Sequence, residues 1–197
     1  MFVDIFHTDK KYQIVYADPP WHFKSRIRSS KKVNGKYLYY TPDTTCGVSY
    51  PTLSGEQIKE LPVKELADDN CILFLWTTET ALPLALEVIK SWGFTYKNIG
   101  FIWNKKERSG KQVCFYGSWT MRGSEICLLA TRGKIHKYIK SFKVRQLVEA
   151  IRDRKVHSRK PDEVRRRIVE LMGDLPRVEL FAREKVEGWD CWGNEVE

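Results

Sequence analysis

Asp18-Pro19-Pro20-Trp21 sets an acid, two rigid carbonyls and a large aromatic in four consecutive positions. The apolar run before it, Ile14-Val15-Tyr16-Ala17, reads as a buried strand. Two successive prolines cannot continue a sheet, so the chain must turn out of it there. The quartet is therefore expected at the carboxyl end of a strand, the edge where open α/β sheets bind ligands. Its chemistry suits a planar base carrying an exocyclic amine. The Asp18 carboxylate and the Pro19 carbonyl can each accept one N–H of that amine, and proline offers an acceptor with no competing donor. Trp21 supplies a face for the base to stack on. The plainer reading is a strand-ending turn with Trp21 in the core. The tryptophan, the strand before it and the basic loop after it favour the clamp.

The surrounding pattern is that of an α/β sheet. Ser54-Gly55-Glu56-Gln57 is a capping box opening a helix that Pro62 interrupts or ends. Cys71 to Trp76 is a continuous apolar run, expected as a central parallel strand covered on both faces. Leu82, Leu86, Val88 and Ile89 give a helical stripe that stops at Gly93. Thr95 to Trp103 and Ile126 to Ala130 read as further strands. Residues 104–118 are polar and read as a loop. Pro161 marks a helix start, with Asp162 and Glu163 at the positive end of its dipole and Gly173 at its close. Arg177 to Ala182 is a last strand. Strands alternating with helices predict a parallel sheet in one domain. Residues 22–50, basic and aromatic with little periodicity, predict a long loop that grips a strand.

Composition narrows the partner. The 197 residues are 42% hydrophobic and 30% charged, ordinary for a soluble globular chain. There is no run of membrane-spanning length, and the N-terminus lacks a signal-peptide layout. The five cysteines are widely spaced and form no C-x-x-C pair, so reduced thiols in a cytoplasmic protein are expected and no metal site is. The net charge is +9, and Lys134 to Arg167 alone holds 13 Lys/Arg against 4 Asp/Glu. A second cluster, Lys24, Arg26, Arg28, Lys31, Lys32 and Lys36, abuts the clamp. Two such clusters favour a nucleic-acid backbone, with Lys24, Arg26, Arg28, Lys31, Lys32, Arg154, Lys155 and Arg159 as its contacts.

At these residues the sequence resembles the DPPW amino-methyltransferases of the MT-A70 type, which methylate adenine from S-adenosylmethionine. The similarity covers nearly the whole chain. The segment from Ser49-Tyr50 to the capping box matches the family's aromatic turn. The block Trp119-Thr120-Met121-Arg122-Gly123-Ser124-Glu125 is similar to its acceptor-pocket segment. Lys160-Pro161-Asp162-Glu163, Glu179 to Arg183 and Gly188 to Glu195 match its later patterns. The resemblance implies Asp18, Pro19, Pro20 and Trp21 as catalytic, and Trp21, Tyr50, Trp119 and Glu125 around the target base. It implies Asp18, Lys160, Arg183, Asn194 and Glu195 as the S-adenosylmethionine site. A carboxylate or amide can take ribose hydroxyls, and Lys160 or Arg183 the methionine carboxylate. Asp4 is a weak match to a further upstream acid.

The implied fold is one Rossmann-like methyltransferase domain over 1–197. It is expected to be circularly permuted, since the clamp precedes the cofactor strand and no early G-x-G-x-x-G exists. The expected reaction is methyl transfer to the adenine amine of nucleic acid, DNA favoured over RNA. No recognition domain beyond the core is expected, so sequence choice must come from loops, a partner subunit, or not at all; a homodimer or a partner subunit is the expected assembly. Three alternatives remain open: a silent nucleic-acid-binding subunit, an enzyme acting on RNA adenine, or one acting on DNA cytosine.

Overall fold

The structure, a computed structural model, describes residues 1–22, 52–116, 119–153 and 159–196, and the backbone alone of 29–33 and 36–40. The clamp strand β1 (Tyr12–Ala17) lies between β4 (Ala67–Thr77) and β8 (Arg177–Leu180) and runs parallel to both. Strand β9 (Asp190–Trp192) pairs parallel with β8. On the other side of β4 come β6 (Ser124–Arg132), β5 (Thr95–Lys106) and β7 (Leu147–Ile151). The order across the seven-stranded sheet is β7-β5-β6-β4-β1-β8-β9.

Period-two alternation splits the core into two layers. Val15 and Ala17 face one way with Leu73 and Leu75, against the helical residues Ala85, Val88 and Ile89. Ile14 and Tyr16 face the other way with Ile72, Phe74 and Trp76, against Val164, Ile168 and Met172. Those helices are α3 (Leu82–Ser91) and α4 (Asp162–Met172), one on each face. Burying each large aliphatic residue of such a face stabilises the fold by about 1.5–3 kcal/mol.

Local signals hold where predicted. Ser54 Oγ accepts from Gln57 N at 3.2 Å and Gln57 Oε1 accepts from Ser54 N at 2.9 Å, capping α1 (Gly55–Lys59). Pro62 stands at the N-cap of α2 (Val63–Leu66), Pro161 at that of α4. Gly93 and Gly173 close α3 and α4 with φ of 80° and 78°, a conformation that glycine alone adopts freely.

Three predictions need correction. The sheet is mixed, because β6 is antiparallel to both β4 and β5. Strands β5 and β6 are joined by a loop with no helix, and without a crossover helix consecutive neighbours pair antiparallel. The 22–50 segment is not wholly loop: β2 (Ser29–Val33) and β3 (Lys36–Tyr40) form an antiparallel hairpin. Strands β7 and β9, unforeseen, are short edge strands with weak alternation. Among the described residues, no helix is long and apolar enough to cross a membrane.

Candidate active site

Four parallel strands end at one edge, so the residues after β4, β1, β8 and β9 are brought together. A cavity of about 680 Å³ lies there, within the range of small-molecule sites. Asp18, Pro19, Pro20 and Trp21 line it, with Thr77, the last residue of β4, and Thr78 after it. Glu125 joins them from the start of β6, Lys160 from just before α4, and Arg183, Asn194 and Glu195 from beyond β8 and β9. Residues separated by up to 177 positions in the chain thus share one wall.

The clamp is a tight turn. Trp21 N donates to Pro19 O at 2.8 Å, and Leu53 N to Pro20 O at 3.0 Å. The Pro19 carbonyl therefore already accepts one bond, and its second lone pair is the one left for a ligand. Trp21 corrects its prediction. It is only 5% exposed, its Nε1 donates to Trp76 O at 3.0 Å, and it packs in the core. Satisfying its buried indole N–H on the carbonyl of Trp76, near the end of β4, fixes the ring as a cavity wall, not a free stacking face.

A chain of alternating charges crosses the site. Lys160 Nζ is 2.6 Å from Asp18 Oδ2 and 3.1 Å from Glu125 Oε2, while Glu125 Oε1 also pairs with Lys105 Nζ. The Lys160 side chain is 9% exposed and that of Glu125 14%. Burial opposes each charge, and the balance differs along the chain. For Glu125 the two lysines outweigh burial and bring its carboxyl below the ordinary range. For Asp18 burial dominates, Glu125 adds to it, and the carboxyl is raised despite Lys160. Lys160, between two carboxylates, stays protonated: they overcome its burial and raise its pKa. Lys160 lines the cavity, as expected of it, and is also engaged by the clamp acid itself.

Several side chains in this arrangement had gone unrecognised. Lys105 follows Phe101 and Trp103 at period two, and a lysine on that buried face is a signal that it has a partner. Trp76 carries Lys160 over its ring at 5.5 Å and donates from Nε1 to Tyr16 OH at 2.7 Å. Beneath, Arg165 grips Glu179 bidentately at 2.7 and 2.9 Å.

Other predicted residues fall elsewhere. Trp119 is 97% exposed and does not line the cavity. It lies between the bridged Phe115 and Arg122, at the tip of the β5–β6 loop, where nothing packs it inward. Arg159 pairs with Glu184 at 2.9 Å and Asp162 at 3.3 Å, outside the cavity lining. The basic segment is also divided. Arg152 pairs with Glu107 and Arg167 with Glu163, so its later half is largely committed to acids. Its first part, Lys134 to Arg145, lies at the opposite sheet edge, where Lys134 N meets Asn70 Oδ1 and Lys140 N meets Leu171 O. Lys31 and Lys32 lie on β2. Lys24, Arg26, Arg28, Tyr50, Arg154 and Lys155 lie outside the described residues.

The residues at the ends of β8 and β9 suit S-adenosylmethionine. Arg183 supplies a cation, Asn194 an amide and Glu195 a carboxylate, with Arg183 Nε 2.8 Å from Glu195 Oε1. Comparison with known proteins decides the family: residues 12–195 match the MT-A70 family model. The chain belongs to the MT-A70 family. It is 34% identical over 194 residues to the type II methyltransferase M.MunI of a Mycoplasma species, covering 95% of this chain and 78% of that one. It is 28% identical to the human N(6)-adenosine-methyltransferase catalytic subunit METTL3, over 95% of this chain but 28% of that protein. The mouse N(6)-adenine-specific methyltransferase METTL4 is likewise 28% identical, over 98% of this chain and 39% of its own length. As an MT-A70 protein, the chain is a Rossmann-like methyltransferase that draws its methyl group from S-adenosylmethionine and acts on adenine.

Proposed function

We propose that this MT-A70 protein methylates the exocyclic amine of adenine within nucleic acid, DNA in preference to RNA, at the Asp18-Pro19-Pro20-Trp21 turn. The observation that carries this reading is the position of that turn. It opens on the same cavity as Glu125, Lys160, Arg183, Asn194 and Glu195. The match to most of a type II methyltransferase, against about a quarter of the adenosine-methyltransferase subunit, supports DNA.

The adenine amine is a poor nucleophile because its lone pair is delocalised into the ring. Asp18 and the free lone pair of Pro19 O accept its two hydrogens and favour a pyramidal nitrogen, leaving the lone pair to point away from the clamp. S-adenosylmethionine, when bound, supplies a methyl group already activated on sulfonium. The chain's own contribution is orientation within the cavity, together with fixed charges. Methylation leaves the amine cationic, and the Asp18 carboxylate is the acceptor for the proton it sheds. Lys160 keeps Asp18 in place and balances its charge. Trp21 and Glu125 wall the base, and Arg183, Asn194 and Glu195 hold the cofactor. Inside duplex DNA the amine is out of reach, so the base is flipped out or presented single-stranded. The basic stretch from Lys24 to Lys36, adjoining the turn in sequence, grips the backbone. The permuted reading of the sheet belongs to the same proposal: β1, with the clamp, precedes β8 and β9, which bring the cofactor residues.

The test is transfer of labelled methyl groups to unmodified DNA and RNA in parallel, with products digested to nucleosides and identified by mass. Methyl-adenine in DNA is expected, with at least a hundredfold loss in Asp18→Ala and nucleic-acid binding largely kept. An Asp18→Ala protein with wild-type turnover would sink the assignment. Label in neither polymer, despite cofactor binding, would favour a silent subunit.

A further inference from the structure

The loop between β5 and β6 turns four large apolar side chains toward solvent. Tyr116 is 93% exposed and Trp119 97%, with Phe115 and Met121 about half exposed. A soluble chain seldom groups so many on one surface unless something covers them. Neither the clamp nor the cofactor residues use them, since none lines the cavity.

Backbone bonds pin this loop at two levels. Val113 N donates to Lys105 O at 2.9 Å, and Lys105 N to Gly123 O at 3.0 Å. Further out, Phe115 N donates to Arg122 O at 2.7 Å and Arg122 N to Phe115 O at 2.8 Å. A Cβ at Gly123 would lie 2.0 Å from Val113 O, so the two limbs approach as only glycine permits. Arg152, paired with Glu107, lies 5.0 Å over the Phe115 ring and braces the loop from just after β7. The rings are displayed by a built support.

The charges beside them are positive. Glu107 is the one acid from 107 to 124, against Arg108, Lys111 and Arg122. Glu107 takes Arg152, and the other three cations pair with no carboxylate among the described residues. Aromatic faces interleaved with such cations suit a polyanion that carries flat bases. A second copy of this chain fits less well, because its own net charge is +9. The loop also leads into the site. Glu125, a cavity wall, follows Trp119 by six positions, a reach of at most about 20 Å.

We infer that the β5–β6 loop is a base-stacking arm for the strand carrying the target adenine, an inference that rests on the function proposed above. Tyr116 and Trp119 stack on bases that flank the extruded adenine, and Arg108, Lys111 and Arg122 meet the phosphates between them. Taking a base out of the stack bares the faces of its neighbours, and a ring laid on one offsets that loss. Trp119 thus belongs to the nucleic-acid surface around the cavity and not to the pocket for the target base.

The experiment is fluorescence anisotropy of a labelled single-stranded oligothymidine with one central deoxyadenosine, titrated with the whole chain across a salt series. Trp119→Ala and Tyr116→Ala are each expected to weaken binding roughly five- to hundredfold, the loss of one stacked base. Neither should change the slope of log affinity against log salt, and Trp119→Phe should recover most of the loss. Arg122→Gln should flatten that slope by about 0.7, the loss of one phosphate contact on a single strand. Both rings are exposed, so the variants should keep the wild-type melting temperature and S-adenosylhomocysteine affinity, measured alongside. Wild-type affinity in both alanine variants would overturn the inference. So would a fall in molar mass by light scattering in Trp119→Ala, which would make the loop a protein interface. A wild-type chain that binds S-adenosylhomocysteine but no oligonucleotide would instead overturn the proposed substrate, and the inference with it.

Discussion

Lys160 Nζ and Asp18 Oδ2 are 2.6 Å apart across the cavity wall, joining the residue before the N-cap of α4 to the first residue after β1. One oxygen of the acid is thereby taken by a lysine. Asp18 Oδ1 carries no hydrogen bond among the described residues, and in the proposed function it is the oxygen that takes the base amine. The same lysine reaches Glu125, so removing any member of the chain redistributes charge over all of it.

Lys160→Met leaves the Asp18 and Glu125 carboxylates, both largely buried, without the cation they share. Breaking a buried pair by removing one partner costs about 3–5 kcal/mol. The urea midpoint of Lys160→Met should fall accordingly, and Lys160→Arg should recover part of the loss. An unchanged midpoint would show that the ion pair adds nothing to folding.

The activity should depend on the ionisation of Asp18. Its carboxyl titrates above the ordinary 3.8, through burial first and Glu125 second. Methyl transfer is then present above this raised value and lost as pH falls through it. Glu125→Gln removes the like charge, so the acid limb of kcat/KM should move to lower pH in that variant. A limb that stays put, or moves up, would remove Asp18 as the titrating group.

Glu125 itself titrates below the ordinary 4.5, because the lysines outweigh its burial. A carboxyl depressed in the folded state contributes stability above its unfolded pKa and loses it as pH falls through the folded value. Lys105→Met removes one of its two cations. It should cost about 3 kcal/mol at pH 7, the low end for a broken buried pair, since Lys160 remains. The gap from wild type should close below pH 4.5, which denaturation curves across pH would show.

Trp119 should be dispensable for cofactor binding. At 97% exposure its replacement by alanine should change stability by no more than about 0.5 kcal/mol and leave S-adenosylhomocysteine affinity unchanged. A tenfold loss of affinity would mean that the β5–β6 loop folds over the cavity when ligand binds.

Much of this was legible from local spacing, because local spacing is what decides strands, caps and turns. Alternation in Ile14 to Ala17 and Cys71 to Trp76 assigns strands and faces. Ser54 with Gln57, Gly93 and Gly173 mark helix ends. The double proline forces the clamp out of its strand whatever surrounds it. None of these features needs a distant partner.

Pairing across the sheet decided the rest. Whether β6 runs parallel or antiparallel depends on which neighbour completes its hydrogen bonds, and no window of sequence contains that neighbour. Arg165 and Arg166 are adjacent and identical in type. One grips Glu179 in the interior while the other stays exposed on the surface of α4. Trp21 and Trp119 likewise look interchangeable as stacking rings until the first finds Trp76 O and the second finds solvent. The Asp18–Lys160–Glu125–Lys105 chain exists only because strand ends far apart in sequence meet at one edge. Charge pairing and ring contact act over a few ångströms of space, so tertiary structure alone could assign them.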